Sequence, residues 1–400
     1  MTRRTPLVAA LALGASALGA QPVAQQGRAV AVAPSFEAWH FGSGLYQFDG
    51  TDSVRVTNVT QLAVPWSVSS SIARGWTVDA DGAYAAGTVT LAGTDPRVRA
   101  SRYTLNGPTD TRVRVVGPLV RDRVLLTLGA TAPTGRTTLD LEQLSAVRVL
   151  AAPALAMSAP AVGNGAGATA GVIVAQRAGG WALALGGTYE VRGSYAPITA
   201  IVSGADAPEY RPGNTVHLSL AADRLVGASA MTVSLATDLY GRDVLTLDTP
   251  DQPSTDVAVR LGPTVSLDWQ LQLASPAARE VTLYAGDRYR ARFTRAGATV
   301  AGSDGHQVEA GVRSVFPVSG RTGLVFDAEG RYHTGLRVDN TLATAAVWST
   351  GATLGLRFGT HASGFSATPF VRGRYGVFGS DDRAASGAFG GGGLTLAWWF

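Results

Sequence analysis

The chain of 400 residues ends with residues 391–400, which read GGGLTLAWWF. Successive side chains of an extended strand point to opposite faces, so Leu394, Leu396, Trp398 and Phe400 share one face. Soluble proteins rarely end on three consecutive aromatic residues. A membrane β-barrel needs an apolar, lipid-facing closing strand with aromatic residues at the interface. The stretch therefore predicts the last strand of a transmembrane barrel.

The amino-terminal residues predict export. Arg3 and Arg4 precede an apolar run from Leu7 to Leu18, and the small residues Gly19 and Ala20 offer a cleavage site, as in a secretory signal peptide. The run is too short to cross a bilayer as a helix. The alternative is a buried amino-terminal helix, which the absence of an amphipathic period disfavours. Residues 1–20 are therefore expected to form a cleaved signal peptide.

Composition excludes several classes of protein. Although 46% of the 400 residues are hydrophobic, the mature chain has no run of the ~18 consecutive apolar residues that a transmembrane helix needs, so a membrane protein of this sequence must be a barrel. Without Arg3 and Arg4, the basic residues number 33 − 2 = 31 against 29 acidic ones, which gives no case for nucleic acid as a partner. The lack of cysteine excludes disulfides and thiolate metal sites.

Alternating hydrophobicity divides the mature chain into strands with one face for lipid and one for water. Trp181, Leu183 and Leu185 share one face, for example, and Glu190 and Arg192 lie on the other. The pattern predicts an all-β, antiparallel, up-and-down transmembrane barrel of about sixteen strands. The predicted strands are 35–47, 53–68, 75–88, 110–119, 123–132, 166–177, 181–192, 214–225, 229–240, 256–273, 279–293, 306–318, 322–333, 346–358, 365–378 and 388–400.

The connections between these strands alternate between short turns and longer loops. The short ones fall near Ala73, Asp122, Gly179, Gly227, Pro276, Gly320 and Ala362, on the same side as both termini, which should be periplasmic. The long ones, at 89–109, 133–165, 193–213 and 241–255, then face outward. Within the second of these, helical spacing predicts a short helix between Thr138 and Leu150. Residues 21–34 form a short periplasmic or luminal segment before a barrel at 35–400.

One residue does not fit the simple alternation. Strict alternation in the strand 279–293 points Asp287 at lipid, where a charge near the midplane costs roughly 2 kcal/mol or more. A bulge at the adjacent Gly286 could reset the register. Alternatively, the strand begins later and Asp287 lies near the rim of the barrel. The sequence does not decide between the two.

Several motifs in the middle third of the chain resemble a known family. They are LNGPTDT at 105–111, the strand 124–130 that closes on APTG at 132–135, GNGAG at 163–167 and EYRPGN at 209–214. In this order the motifs resemble the FadL-like outer-membrane transport proteins, especially the aromatic-degradation (phenol meta-pathway) transporters. The resemblance implies passage of small hydrophobic or aromatic molecules. It also makes fourteen strands the alternative to sixteen, because such proteins typically have fourteen.

The chain departs from the family at its amino terminus. Members of the long-chain fatty-acid branch have a substantial amino-terminal hatch, whereas only residues 21–34 precede the first predicted strand. The closing strand resembles the assembly signal of outer-membrane proteins, carried by Leu394, Leu396, Trp398 and Phe400. This implies the barrel-assembly machinery as a partner.

Charged residues on the polar faces predict the lining of a pore. Facing rows of opposite charge inside a pore can select solutes, although paired charges can equally brace the wall. The predicted pore-lining residues are Arg288, Arg290, Arg292, Asp327, Glu329, Arg331, Arg372 and Arg374. His333 continues the row of Asp327, Glu329 and Arg331.

The sequence predicts no enzyme, no cofactor and no metal site. The five histidines lie on separate segments without metal-ligand spacing, Gly-x-Ser-x-Gly does not occur, and a phosphate-binding Gly-x-x-x-x-Gly-Lys needs a lysine that the chain lacks. A catalytic triad assembled from separate strands is not excluded by spacing alone.

The expected function is that of an integral channel in the outer membrane of a Gram-negative cell, passing small hydrophobic or aromatic molecules. The alternatives are a general porin for small polar solutes and a structural or surface-interaction barrel. Membrane lipids and a small hydrophobic ligand are the other expected partners. The apolar loop residues that could line a mouth above the lumen are Tyr103, Leu141, Leu144, Leu150, Tyr195, Ile198 and Tyr210.

Overall fold

The computed structural model describes residues 28–400 apart from 47–53, 74, 94–100, 121–122, 159–161, 201–205, 250–251, 276–277, 279, 335–345 and 380–383. The predicted signal peptide, residues 1–20, lies outside the described residues. The described chain is almost entirely extended, with one α-helix and two short 3-10 helices. None of its helices has the length and apolar character that crossing a bilayer requires.

The strands are β1 (Arg28–Val32), β2 (Ser35–Tyr46), β3 (Val54–Ala73), β4 (Trp76–Gly93), β5 (Ser101–Pro108), β6 (Thr111–Val120), β7 (Val124–Ala132), β8 (Gly167–Ala178), β9 (Trp181–Arg192), β10 (Glu209–Arg211), β11 (Thr215–Val226), β12 (Ser229–Tyr240), β13 (Asp243–Thr249), β14 (Gln252–Arg260), β15 (Thr264–Leu273), β16 (Glu280–Arg290), β17 (Thr294–Arg295), β18 (Ala298–Thr299), β19 (Gly305–Pro317), β20 (Thr322–Thr334), β21 (Ala346–Thr360), β22 (Phe365–Gly379) and β23 (Ala385–Trp399). The helix is α1 (Leu141–Leu150), and the 3-10 helices are Pro153–Leu155 and His361–Ser363.

Eighteen of these strands form one antiparallel sheet that closes on itself. β1 and β2 lie end to end and together occupy one strand position of the wall, since both pair with β3 and β23. β5 and β6 share another position beside β4. The wall therefore has 18 − 2 = 16 positions, and the pairing of β23 with β1 and β2 closes the ring. The prediction of a sixteen-stranded barrel is confirmed, and the alternative of fourteen is not.

The outer face of the barrel is apolar and exposed. Leu183 and Leu185 on β9 point outward, with Leu185 61% exposed, while the intervening Ala184 is buried inside. A soluble protein would cover such a continuous apolar surface, and here the bilayer covers it. The protein is therefore a transmembrane β-barrel.

Aromatic side chains on the outer face concentrate near both ends of the strands. We call the end that holds Arg28 and Phe400 the terminus end, and the opposite end the loop end. Trp348 and Tyr375 pack with ring centroids 5.9 Å apart near the loop end. Phe365 and Trp398 do so at 5.5 Å near the terminus end. Such belts mark the two interfaces of a membrane-spanning barrel.

The predicted turns lie at the terminus end. Seven short connections join β3–β4, β6–β7, β8–β9, β11–β12, β15–β16, β19–β20 and β21–β22. The predicted turn residues Ala73, Gly179, Gly227, Gly320 and Ala362 lie in or next to these connections, whereas Asp122 and Pro276 lie outside the described residues. The β8–β9 turn shows why these positions suit their residues. Gly179 and Gly180 have φ of 55° and 83°, and a two-residue hairpin of this kind needs positive φ at both positions.

The predicted strand 256–273 is wrong as a single element. β14 ends at Arg260, and β15 begins at Thr264 after Gly262 and Pro263. A Cβ on Gly262 would collide with the carbonyl oxygen of Ala291, and proline cannot donate to a ladder, so the wall is interrupted there. β14 instead joins β10, β13, β17 and β18 in a second, five-stranded sheet at the loop end. The predicted outer loop 241–255 is largely the β13–β14 hairpin of that sheet.

Two further wall segments lie outside the predicted strands. Residues 28–32, which the sequence predicts to lie in a short segment before the barrel, form β1 and pair with both β3 and β23. Residues 101–108, which the sequence predicts to lie in an outer loop, form β5 and extend the wall beside β4. Both are short extensions of a neighbouring strand, with too few alternating residues to stand out.

Asp287 points outward, as strict alternation requires, because the pairing of β16 with β15 and β19 continues without a bulge. It stands beside Val308, which pairs with Tyr332, so it lies at the level of the loop-end aromatic belt rather than at the midplane. Its carboxylate lies 2.9 Å from Nδ1 of His306. The location near the rim removes most of the cost of a charge at the lipid face.

Candidate functional site: the lumen

Strand alternation assigns the predicted pore-lining residues to the inside of the barrel. One register row runs from Asp327 through Thr353, Arg372 and Gly391 to Glu37, and Glu37 is fully buried inside. The predicted residues on inward faces are Arg288, Arg290, Asp327, Glu329, Arg331, Arg372 and Arg374.

Arg292 lies beyond the end of β16, in the connection at the loop end. Its Nε donates to Oδ1 of Asp304 at 2.8 Å. This hydrogen bond holds the pKa of Asp304 below its usual value, so the pair stays ionised at neutral pH. The inward ladder on β16 therefore consists of Arg288 and Arg290, because β16 ends two residues before Arg292.

The connection between β7 and β8 folds into the barrel. Residues 139–158, which we call the inward segment, contain α1 and the following 3-10 helix. The predicted helix is confirmed, and Asp140 caps it: its carboxylate accepts from the Gln143 N–H at 2.8 Å, and the Gln143 side chain accepts from the Asp140 N–H at 3.2 Å. The segment narrows the lumen from one side.

Apolar packing holds the inward segment against the wall. The cluster draws its wall residues from β2, β3, β4, β5 and β21–β23, and its residues from the segment are Leu139, Ala146, Val149, Leu150, Ala154 and Leu155. Trp39 donates its indole N–H to the carbonyl of Leu155 at 2.9 Å. Gly87 leaves room for the helix, since a Cβ there would lie 2.5 Å from Cδ1 of Leu150. The wall opposite the cluster remains polar.

A carboxylate fastens the two ends of the β7–β8 connection to each other. Asp110 accepts from the Gly135 N–H at 2.9 Å and from the Asn164 N–H. Gly135 and Gly163 approach so closely that a Cβ on Gly135 would lie 2.7 Å from Cα of Gly163. The connection therefore returns to its starting point, which directs the residues between toward the lumen.

A second carboxylate organises the neighbouring loops. Asp243 accepts from the Tyr210 hydroxyl at 2.7 Å and from the Gly213 N–H at 2.6 Å. Burial and this hydrogen bond raise the pKa of Tyr210, so its hydroxyl stays protonated and donates. Tyr210 packs edge-on against Tyr195 at 5.4 Å, and Gly165 leaves space beside Tyr195. The motifs at 105–111, 132–135, 163–167 and 209–214 thus meet in two adjacent clamps at the loop end.

A buried ion pair attaches the inward segment to the wall. Glu37 on β2 accepts from the Ser158 N–H at 3.0 Å, from the Ser158 hydroxyl, and from Nη1 of Arg372 at 3.0 Å. All four lone-pair directions of a carboxylate are available for such partners, so one buried group can hold both a strand and a loop. Arg372 therefore braces the segment from β22.

A second buried network lies beside the first. Glu329 accepts from Arg374 and from Nη2 of Arg331 at 3.0 Å, and Arg331 also lies 3.6 Å from Glu309. Few of these side chains reach open solvent, and the charges balance within the group. For Glu329, Arg331, Arg372 and Arg374, the role that these contacts describe is bracing of the wall.

The opposite part of the wall is polar and solvated. Asp238 on β12 accepts from the Thr264 hydroxyl at 2.7 Å and lies 2.6 Å from Nδ1 of His217 and 3.9 Å from Nη2 of Arg288. Asp327 on β20 accepts from Nε of Arg313 at 2.7 Å. More than half of the Arg288 and Arg313 side chains is exposed although both point inward. Water therefore reaches this part of the lumen.

Sequence reasoning did not single out some residues that shape the site. Glu37, Asp238 and Arg313 each lie at an inward position of a predicted strand, so alternation could have found them. The partner of Arg313 lies on the next strand, 14 residues away, whereas Arg372 lies 335 residues from Glu37 and only the closed register brings those two together. Among the residues that the structure describes, no group of three or more histidines and carboxylates is arranged to hold a metal ion.

The predicted assembly residues share the outer face near the terminus end. Trp398 pairs with Val30 and Phe365, and Leu396 pairs with Val32 and Ala367. Phe400 is 78% exposed and exchanges backbone hydrogen bonds with Arg28. Leu394 follows the same alternation.

The sequence matches no protein-family profile and no curated protein. Among solved structures, it is similar to a bacterial polysaccharide outer membrane secretin, with 12% identity, a TM-score of 0.46 and coverage of 94% of this chain and 99% of the other. It is also similar to OprB of Pseudomonas putida, with 10% identity, a TM-score of 0.45 and coverage of 93% of this chain and 94% of the other. A FadL homologue of Pseudomonas aeruginosa has 9% identity, a TM-score of 0.41 and coverage of 93% of this chain and 90% of the other. The relation to phenol meta-pathway transporters stays a prediction.

Proposed function

We propose that this protein is an outer-membrane channel through which small polar solutes diffuse. The observation that carries the proposal is the solvated inner wall, where Arg288 and Arg313 point inward and keep more than half of their side chains exposed. A barrel interior filled by packing would bury such groups. The inward segment packs against the other side and limits the size of the passage.

The passage of hydrophobic or aromatic molecules is a second candidate. It rests on the family resemblance and on apolar loop residues. Leu150 is buried in the packing of the inward segment, and Tyr195 and Tyr210 contact each other. These residues are therefore occupied in holding the loops together, whereas Leu141 remains exposed. The polar wall favours polar solutes.

Liposome swelling distinguishes the two candidates. Vesicles that contain the purified protein should swell in isotonic solutions of small sugars or amino acids, at rates that fall as the solute grows. Uptake of a labelled aromatic compound by cells with and without the protein is the parallel measurement. Equal swelling with and without protein, together with protein-dependent aromatic uptake, would favour the hydrophobic route instead.

The proposal includes the cellular context of the barrel. We infer that a cleaved signal peptide at residues 1–20 exports the chain and that the assembly machinery recognises the outward row ending at Phe400. Lipids then surround the apolar outer face. Cell fractionation and amino-terminal sequencing of the mature protein test these inferences.

A further inference from the structure

We propose that the lumen favours small anions, such as short carboxylates and phosphate, over cations of equal size. The inference deepens the proposed channel function and rests on it. Its basis is a shared asymmetry of three ion pairs on inward faces. In each pair the carboxylate lies back against the wall and the guanidinium reaches into the water.

The exposure of the partners shows this asymmetry. The side chain of Arg288 is 55% exposed and that of Asp238 24%. Arg313 is 54% exposed and Asp327 16%. Arg114 on β6 is 43% exposed and its partner Asp79 on β4, at 3.2 Å, is 27% exposed. At each of these three pairs the solvent therefore meets more of the positive than of the negative partner.

The hydrogen bonds explain why the carboxylates stay at the wall. Besides its arginine, each accepts from neighbouring groups of the wall: Asp238 from Thr264, Asp79 from the Ser69 hydroxyl at 2.7 Å, and Asp327 from the Tyr284 hydroxyl at 3.2 Å. These hydrogen bonds hold each carboxylate against the wall. A passing cation therefore meets the carboxylates behind the more exposed guanidinium groups.

The arginines keep donors available. A guanidinium has five N–H groups, and Nη2 of Arg288 reaches Asp238 only at 3.9 Å, beyond hydrogen-bond distance. The planar guanidinium matches the geometry of carboxylate and phosphate oxygens. A passing anion therefore finds donors at successive positions along the wall.

The other inward charges contribute less to this preference. The network of Glu309, Glu329, Arg331 and Arg374 is mostly buried, and its two positive and two negative charges balance. In the Arg357–Glu280 pair the carboxylate is the more exposed partner, since the side chain of Glu280 is 50% exposed and that of Arg357 33%. Glu280 is the first residue of β16, so this pair lies at the mouth of the terminus end. Asp81 is exposed beside Arg112, its register partner. The proposed preference therefore rests on the three asymmetric pairs.

The test is the zero-current potential of the purified protein in a planar bilayer with a KCl gradient. We expect chloride to permeate better than potassium. The triple variant Arg114→Ser, Arg288→Ser and Arg313→Ser should lose this preference, since one unit charge ~5 Å away in water changes the local anion concentration about four-fold. Raising the salt from 0.1 M to 1 M should also weaken the wild-type preference, because the Debye length falls from about 10 Å to about 3 Å.

Arg211→Ser is the matched control. Arg211 is 54% exposed and lies 3.9 Å from Asp256, like Arg288 and Asp238, but it belongs to the second sheet rather than the barrel wall. This variant should keep the wild-type permeability ratio. A chloride-to-potassium permeability ratio at or below one in the wild type would overturn the inference. So would a triple variant whose permeability ratio equals that of the wild type. A protein that forms a barrel but passes no current would contradict the channel function itself.

If the triple variant does not form a heat-modifiable barrel, Arg288→Ser and Arg288→Lys replace it. The lysine variant keeps a positive charge and should keep the preference for chloride, whereas the serine variant should lower it. Equal ratios for the two variants would count against the role of the exposed charge.

Discussion

Replacing Glu37 by glutamine should loosen the inward segment and lower the free energy of unfolding. The carboxylate is 2% exposed and holds Ser158 and Arg372 at once. Glutamine has the same shape and keeps one acceptor oxygen, but it is neutral and offers an NH2 group where the second oxygen stood. Arg372, itself 13% exposed, would then keep its charge without its counterion.

The size of the effect follows from these contacts. Breaking a buried ion pair by removing one partner costs about 3–5 kcal/mol. Because water reaches part of the lumen, we expect the lower end, ~3 kcal/mol, which is roughly a 100-fold change in the folding equilibrium. Ser158→Ala removes a hydrogen bond to the same carboxylate but no charge, and should cost ~1–2 kcal/mol.

The assay is urea unfolding in lipid vesicles, followed by the fluorescence of the eight tryptophans of the chain. Asp256→Asn is the matched control, since Asp256 is exposed and lies 3.9 Å from Arg211. An exposed pair of this kind contributes ~0–1 kcal/mol. If Glu37→Gln destabilised the barrel no more than Asp256→Asn does, the buried pair would not be what anchors the segment.

Three further outcomes are expected. Gly87→Val should push Leu150 away from the wall and raise single-channel conductance, whereas Gly330→Ala, with nothing within 4 Å of its new Cβ, should leave conductance unchanged; equal conductance in both would refute the packing. Phe400→Asp should reduce the amount of heat-modifiable protein in the outer membrane, and a change of Trp399, on the opposite face, should be better tolerated; wild-type amounts for Phe400→Asp would contradict the assembly signal. Unboiled protein should migrate differently from boiled protein on a gel, because a closed barrel has no free strand edge; a single band would speak against closure.

The wall of the barrel was predictable because its two faces meet different solvents. Apolar and polar side chains alternate along each strand, and a short turn ends the strand at the terminus end. Both signals are local, so the sequence of each strand is enough to locate it. The helix α1 was also predictable from its spacing. The location of α1 was not predictable, because the apolar face of a helix does not show which surface of the protein it packs against. That surface depends on Gly87 and Trp39, which lie on other strands.

The pairing of charges in the lumen was the least predictable part. Glu37 and Arg372 are 335 residues apart and meet only because β23 lies between their strands and closes the ring. Alternation predicts that Arg372, Arg374 and Glu329 lie on inward faces, but it does not show whether an inward side chain is solvated or buried. Their burial is set by the inward segment and by neighbouring charges, which no single strand contains.

The meeting of Arg28 and Phe400 has a consequence for how the molecule forms. Their backbones exchange hydrogen bonds at 2.9 and 3.3 Å, so the first described strand completes its pairing only with the last. Until β23 arrives, every partly assembled sheet has two open edges, and each is a template for pairing with another chain. The longest-range contact of the fold is also its final one, and such contacts form slowly. A nascent chain of this protein therefore stays prone to aggregation until its last strand pairs, so a factor that protects the open edges is needed throughout assembly.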